Sequence, residues 1–289
     1  MTISDVTTVS RATPVRFRRG WLQVPLHLVL IAASVAVLLP FLWMLLGSFK
    51  TYSDLINRPS DLPSPWTLDN YTQILAIPGF LNAFTNSCLI ALARTITGCG
   101  TALVLGYIFS KYRFFGRDLL FIALLSTMLV PFPAIMVALY LTLSDLSLLN
   151  QVHSMIVIAL YSTIGTLLLR QWISRLPNEL IEAARLDGAG ELRIIFTIIG
   201  PMSAPPLAAL AVYTFLTSWD EYMFPAIVLT EPSVKTLPLA LASLKSLFWE
   251  RYELYCAGAM VTVVPVMLLY ASMQKQFIKG MTFMGGVKG

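Results

Sequence analysis

The sequence predicts an all-α membrane protein with six transmembrane helices and a cytoplasmic two-helix loop, and three observations point there. Of 289 residues, 57% are hydrophobic and 12% charged, with a mean hydropathy of +0.74. That is more apolar surface than a water-soluble domain can bury. Six stretches lack Asp, Glu, Lys and Arg over 20–49, 70–93, 119–144, 146–169, 194–219 and 254–274. Each is about the 20 residues, or more, that a helix needs to cross roughly 30 Å of hydrocarbon while satisfying its own backbone. The apolar–polar alternation of a membrane β-barrel is absent.

Taken in order, residues 1–20 form an N-terminal tail carrying Arg11, Arg16, Arg18 and Arg19. The span that follows, 22–48, has the basic lead of a signal peptide, but its length and the five spans after it favour a retained helix. Residues 50–81 hold Pro59, Pro63, Pro65 and Pro78 with Trp66, Tyr71 and Phe80, and read as a short ordered cap. The second span, 82–110, runs through Arg94, because 95–110 is too short to cross alone. Gly98, Gly100, Ala102 and Gly106 give it a surface that a neighbouring helix can approach closely. The third, 118–143, contains Pro131 and Pro133, which predict a kink or a break. Spans at 150–172, 203–229 and 254–277 follow, with a charged loop over 174–201 between the fourth and the fifth. The transmembrane unit is thus 21–280, and 281–289 is a C-terminal tail.

Basic residues set the orientation. With the N-terminus inside, fourteen Lys and Arg fall on inside segments and five outside, namely Lys50, Arg58, Lys235, Lys245 and Arg251; Arg94, within a span, completes the twenty. Both termini are therefore expected in the cytoplasm. The +5 net charge is scattered over span ends and not interleaved with aromatics on one face, which argues against nucleic acid. Cys88, Cys99 and Cys256 lie in or beside apolar segments without metal-ligand spacing and read as packing residues with no disulfide. His27 and His153 make no pair suited to metal or nucleophilic chemistry.

The charged loop is the most informative segment. It runs Asn178-Glu-Leu-Ile-Glu-Ala-Ala-Arg-Leu-Asp-Gly188 and on to Pro201, and reads as two short helices joined by a glycine turn. Glu179 and Glu182 suit the positive end of a helix dipole, and Gly188 and Gly190 let the chain reverse. Leu180, Ile181, Ala184 and Leu186 offer an apolar side, while Ala183 and Ala184 keep a low surface. A helix lying on lipid usually sets Lys and Arg opposite Trp or Phe. Four acids and no aromatic before Phe196 point to a protein partner instead.

Glu182-Ala183-Ala184, Gly188, Ile198 and Pro201 stand at the spacing found in the permease subunits of ABC importers, and here the chain resembles that family. It departs at Gly200, where the family usually has Leu. Asn70-Tyr71, Asn86-Ser87, Lys111-Tyr112-Arg113-Phe114, Trp219-Asp220-Glu221 and the Gly285-Gly286-Val287-Lys288-Gly289 tail resemble the carbohydrate branch, in particular the smaller six-span maltose-type permeases.

The resemblance implies an ABC importer permease fold. It implies a heterodimer with a second permease, two ATP-binding subunits gripping the loops, an external solute-binding protein, and a multi-pass place in a bacterial or archaeal cytoplasmic membrane. It further implies that this chain binds no cofactor, ATP and Mg²⁺ residing on the partner ATPase; no G-x-x-x-x-G-K-[ST] cradle is found here. Glu182, Ala183, Ala184 and Gly188 would then dock in the ATPase, with Pro201 closing the motif. Arg185 and Asp187 either pair with the partner or are solvated.

Charges inside spans are costly and mark pathways. Arg94 either faces the pore and reads a polar solute or pairs with Asp220 or Glu221. Trp219, Asp220, Glu221 and Tyr222 join aromatic rings to carboxylates, which suits sugar recognition, gating or helix packing. Asn86, Tyr140 and Gln151 are further candidates for the lining. A self-sufficient secondary transporter or channel is the alternative; it would want paired intramembrane acids or repeated halves, which the sequence does not offer. No constellation for an enzyme is found.

Overall fold

In the computed structural model, residues 20–247 and 251–285 are described, and every element among them is helical. Most of the expected N-terminal tail and the last four residues of the C-terminal one lie outside those residues; 281–285, expected as tail, continue the last helix. The chain divides into a unit over 1–44 and a unit over 45–289. The first holds most of α1 (Gly20–Ser48), an unbroken apolar helix despite Pro25 and Pro40.

The second unit begins with the segment expected as a cap. Here α2 (Tyr52–Asn57) and α3 (Asp69–Ala76) are joined by irregular chain. The Asn70 amide is buried and donates to the Ser48 and Lys50 carbonyls at 2.9 and 2.7 Å. Tyr71 shares a 2.7 Å hydrogen bond with Ser48. Lys50, only 1% exposed, has no carboxylate partner among the described residues and instead donates to the carbonyls of Arg58 and Pro59. The Asn-Tyr pair thus ties the end of α1 to the start of α3, since buried polar groups have to find partners.

The centre of this unit is α4 (Phe80–Lys111), a helix of 32 residues. It packs on α8 (Thr163–Ile173) and α12 (Ala204–Trp219), and α12 packs in turn on α15 (Tyr252–Gly285). The approach to α8 is close: a Cβ on Gly106 would lie 2.7 Å from the Leu169 Cβ and 3.0 Å from the Arg170 nitrogen. Dispersion contacts and small residues, not hydrophobic expulsion, hold helices together in lipid, so this seam matters to stability. Of the other small residues singled out, Ala102 is fully buried in the same core, Gly98 is at ordinary contact distance from Thr214, and Gly100 has nothing within 4 Å.

Three of the expected spans are not single straight helices. Between α5 (Arg117–Ser126, extended by a 3₁₀ turn Thr127–Leu129) and α6 (Phe132–Asp145), the chain bends by 100°. Val130 is extended and Pro131 fixed at φ −64°, as a residue before proline and the proline itself require. The segment expected as a span over 150–172 is instead α7 (Val152–Val157) and α8, so it does not form one membrane-length helix. The Ser162 hydroxyl accepts the Gly165 N–H at 3.0 Å and starts α8 afresh, and Thr101 of α4 donates to the freed Leu160 carbonyl at 3.1 Å. The fifth apolar segment divides into α12 and α13 (Met223–Val228), with Asp220–Tyr222 between them outside any helix. By length and composition, three described helices can cross a membrane, or five if each bent pair counts as one span; six are not reached because 150–172 is divided.

The charged loop contains α9 (Glu179–Leu186) and the short α10 (Glu191–Arg193), then a π turn over Ile194–Ile199 and α11 (Gly200–Met202). A bend of 87° leads into α12. After α13, α14 (Leu237–Leu247) lies against α4 and α15.

The charged loop and the broken fifth helix

The loop is seated on α4 by one apolar and one polar layer. Ile181 and Ala184 of α9 are buried with Ile194, Ile195, Leu103 and Tyr107. Ala184 therefore faces this chain's own core and is not free for a partner, whereas Glu182, Ala183, Arg185, Leu186, Asp187 and Gly188 are exposed. The apolar side read from sequence splits accordingly: Ile181 and Ala184 go in, while Leu186 is 90% exposed.

Gly188 stands at φ +77°. Its N–H donates to the Arg185 carbonyl at 3.0 Å, and the Ala189 N–H reaches back to the Ala184 carbonyl at 2.9 Å. This is the Schellman ending of a helix, which needs a left-handed residue at that place.

The polar layer centres on Glu191. Arg185 donates to its Oε1 at 2.9 Å, and the Tyr107 hydroxyl, buried in α4, donates to Oε2 at 2.9 Å. The Arg185 guanidinium also lies 5.7 Å from the centre of the Tyr112 ring. Burial pushes the Glu191 carboxyl up, but hydrogen bonding from Arg185, Tyr112 and Tyr107 outweighs it and holds the group below the usual carboxylate range. Burial and the adjacent Glu191 push the Tyr112 phenol up. Lys111, at the end of α4, donates to the Leu176 carbonyl at 2.6 Å and the Asn178 side chain at 2.7 Å, which fixes the start of α9.

Gly200 also finds its reason. Pro201 is exposed in α11 and offers no N–H to close a regular turn. The preceding turn widens, and the Gly200 N–H donates to the Ile195 carbonyl five residues back. A Cβ at 200 would lie 3.3 Å from that carbonyl, tighter than a side chain normally sits, and at an ordinary 3.5 Å from Leu103. The residue that departs from the resembling pattern is the one that lets this π turn lie on α4.

At the break in the fifth segment, Arg94 of α4 is paired with Glu221, the two side chains being 12% and 19% exposed. Of the two partners left open by the sequence, Glu221 takes the arginine and Asp220 stays exposed. Trp219 is 2% exposed, stacks on Phe215 with ring centres 5.6 Å apart, and donates to the Thr262 carbonyl at 3.2 Å. It packs α12 on α15 and presents no face to a solute.

Asn86 donates to the Ser233 and Lys235 carbonyls, 3.1 Å each, and Ser87 accepts the Leu237 N–H at 2.8 Å. Both residues anchor the chain entering α14. Tyr140 lies half-buried against the Leu143 and Met155 core, and Gln151 donates to the Ser147 carbonyl at 2.9 Å. Tyr222 lines a cleft of about 340 Å³ with Thr230, Lys235 and Ser243. Among the described residues, no group of His, Cys, Asp or Glu could hold a metal ion.

The family model described as the inner membrane component of binding-protein-dependent transport systems matches residues 102–282. The chain belongs to this family. Among curated relatives, the transport permease is 34% identical to the arabinooligosaccharides transport system permease protein of Halalkalibacterium halodurans, over 89% of this chain and 93% of that one. It is 31% identical to the lactose transport system permease protein of Rhizobium radiobacter, over 94% and 98%. Its fold is that of a chain in a bacterial ABC transporter involved in the import of the acidic polysaccharide alginate, with a TM-score of 0.78 at 21% identity, over 92% of this chain and 100% of that one. The chain is thus a multi-pass inner membrane transport permease, and its relatives are named as permeases, not as enzymes.

Glu191 and Tyr107 were not singled out from sequence, and Lys111 only within the run Lys111-Tyr112-Arg113-Phe114, although the three join the permease's loop to its central helix. The pattern carried one usable signal: a Tyr and a Lys four residues apart share a face at the end of α4.

Proposed function

We propose that this permease forms half of the translocation pathway of an ATP-driven importer for a sugar or related polar solute. It would pair with a second permease, receive solute from an external binding protein, and be moved by two ATP-binding subunits that carry ATP and Mg²⁺, with both its termini in the cytoplasm. The sugar assignment is supported by relatives named for arabinooligosaccharides and lactose.

The coupling assignment is supported by one observation above all: α9 presents Glu182, Ala183, Leu186 and Asp187 outward while its opposite face is fastened to α4. A push on that ridge reaches the span that the rest of the permease packs around. Glu182 supplies a carboxylate for charge-assisted hydrogen bonds to the ATPase, and Gly188 the tight exit. Arg185 is committed to Glu191 within the chain, which leaves Asp187 as the second exposed charge of the ridge.

The test is reconstitution of the complex in proteoliposomes. Glu182→Lys should insert normally, lose co-purifying ATPase and lose ATP-dependent uptake. Uptake at the normal rate, or solute flux by this chain alone without an ATPase, would refute the proposal.

A further inference from the structure

Tyr112 apart, the turn between α4 and α5 has no role in the reading above, yet it is chemically distinctive. A helix of 32 residues is about 48 Å long, a little more than the roughly 40–45 Å of a bilayer with its headgroup layers. The ends of α4 therefore reach the headgroup level. Residues 112–116 leave that end and α5 enters the next apolar segment, so the turn sits where the hydrocarbon meets water.

Three arginines meet there. Arg117 donates to Asp118 at 2.9 Å, Arg170 from α8 lies 3.5 Å from the same carboxylate, and Arg113 is exposed with no ion-pair partner among the described residues. One acid against three guanidinium groups leaves a local excess of two positive charges. Arg113, Phe114, Gly116, Arg117, Asp118 and Leu119 line a cleft of about 330 Å³. Beside it, Phe115 is fully exposed at 105% and Leu119 at 73%.

Solvation alone accounts for the arginines but not for a bare phenylalanine set between two of them. Phe and Leu side chains with Arg beside them are the pattern of a segment seated in the membrane interface. Guanidinium groups match the geometry of phosphate oxygens.

We propose that this turn is a site for an anionic phospholipid, its phosphodiester held by Arg113 and Arg117 in the cleft and its acyl chains lying against Phe115 and Leu119. Charge complementarity selects the anionic lipid over a zwitterionic one, and the exposed ring commits the site to a lipid and not to a free anion.

The test uses the full-length permease in its assembled complex, placed in nanodiscs of equal phosphatidylglycerol and phosphatidylcholine, with Phe115→Trp as reporter and the parent's fluorescence subtracted. Bromine is carried on one lipid at a time. Brominated phosphatidylglycerol is expected to quench at least threefold more than brominated phosphatidylcholine. Arg113→Gln, which breaks no ion pair among the described residues, should bring the ratio towards one. Inorganic phosphate at 50 mM should leave the ratio unchanged; if it abolishes the preference, the site is one for free anions and the lipid assignment falls. Equal quenching by both lipids in the parent background would overturn the headgroup selectivity. No quenching by either would mean that protein covers the turn, and would overturn the proposal entirely.

Discussion

Replacing Gly188 isolates a single physical term. Its φ of +77° is a region L side chains rarely adopt, yet a Cβ built there meets nothing within 4 Å. Any cost of a substitution is therefore one of backbone conformation and not of crowding. A left-handed residue with a Cβ costs about 1–2 kcal/mol, and Ala recovers about 0.4–1 kcal/mol of that by restricting the unfolded chain. Gly188→Ala should net about 1 kcal/mol and Gly188→Val about 2, because β-branching is worse in that region. Gly188→Asn should cost little, since Asn tolerates it.

The Schellman bonds of Gly188 and Ala189 are the local reporters. Amide hydrogen exchange at 188 and 189 should accelerate about fivefold in the Ala variant and about thirtyfold in the Val variant, a factor of ten per 1.4 kcal/mol. The Asn variant should stay within about twofold of the parent. A Val variant exchanging as slowly as the parent, or an Asn variant exchanging as fast as Val, would show that the turn is held by something other than the φ requirement.

Arg94→Gln or Glu221→Gln alone should destabilise the permease by about 2 kcal/mol, short of the ~3–5 of a fully buried pair, while the double variant recovers most of the loss; additive losses in a thermal-unfolding cycle would mean the two do not interact. Tyr107→Phe removes a hydrogen bond from Glu191 and should cost about 1–2 kcal/mol; with Glu191→Gln it should leave ATP hydrolysis running while uptake falls, and uptake that keeps pace with hydrolysis would count against the loop–span connection. Gly106→Leu drives a side chain into Leu169 and should cost about 1–3 kcal/mol, visible as a lower melting temperature in detergent. The depressed Glu191 carboxyl has a signed consequence: its contribution to the loop is complete above the ordinary carboxylate range and is lost as pH falls through the folded value. Exchange at Ala189 should therefore quicken on acidification, beyond the intrinsic trend, only in the parent and not in Glu191→Gln.

What could be read without coordinates was whatever depends on neighbours in sequence. The span of α4 was legible because one arginine interrupts an apolar run, and the bend at Pro131 because proline fixes its own φ and restrains Val130. The turn at Gly188 was legible from its spacing. The break at 158–162 was not, since no proline or glycine marks it; a serine cap and a hydroxyl from α4 sustain it. Ala184 and Ala183 look alike in sequence, and only the seat of α9 on Leu103 and Tyr107 separates them. The Arg94 partner and the hub at Glu191 depend on residues 127 and 84 positions apart, and such pairs are set by tertiary packing alone.

The π turn before Pro201 also works as a phase keeper. It closes five residues back instead of four, so one surplus residue is absorbed without the rotation of about 100° that each residue adds in a regular helix. Excising a single residue between Ile194 and Ile199 would therefore let an ordinary ladder form and leave everything downstream close to its present facing. Winding the same residues as an ordinary helix without the excision would instead swing the downstream chain by roughly a quarter of a revolution. The ridge of α9 and the Arg94–Glu221 pair would then address different sides of the molecule, although every side chain in both had been kept.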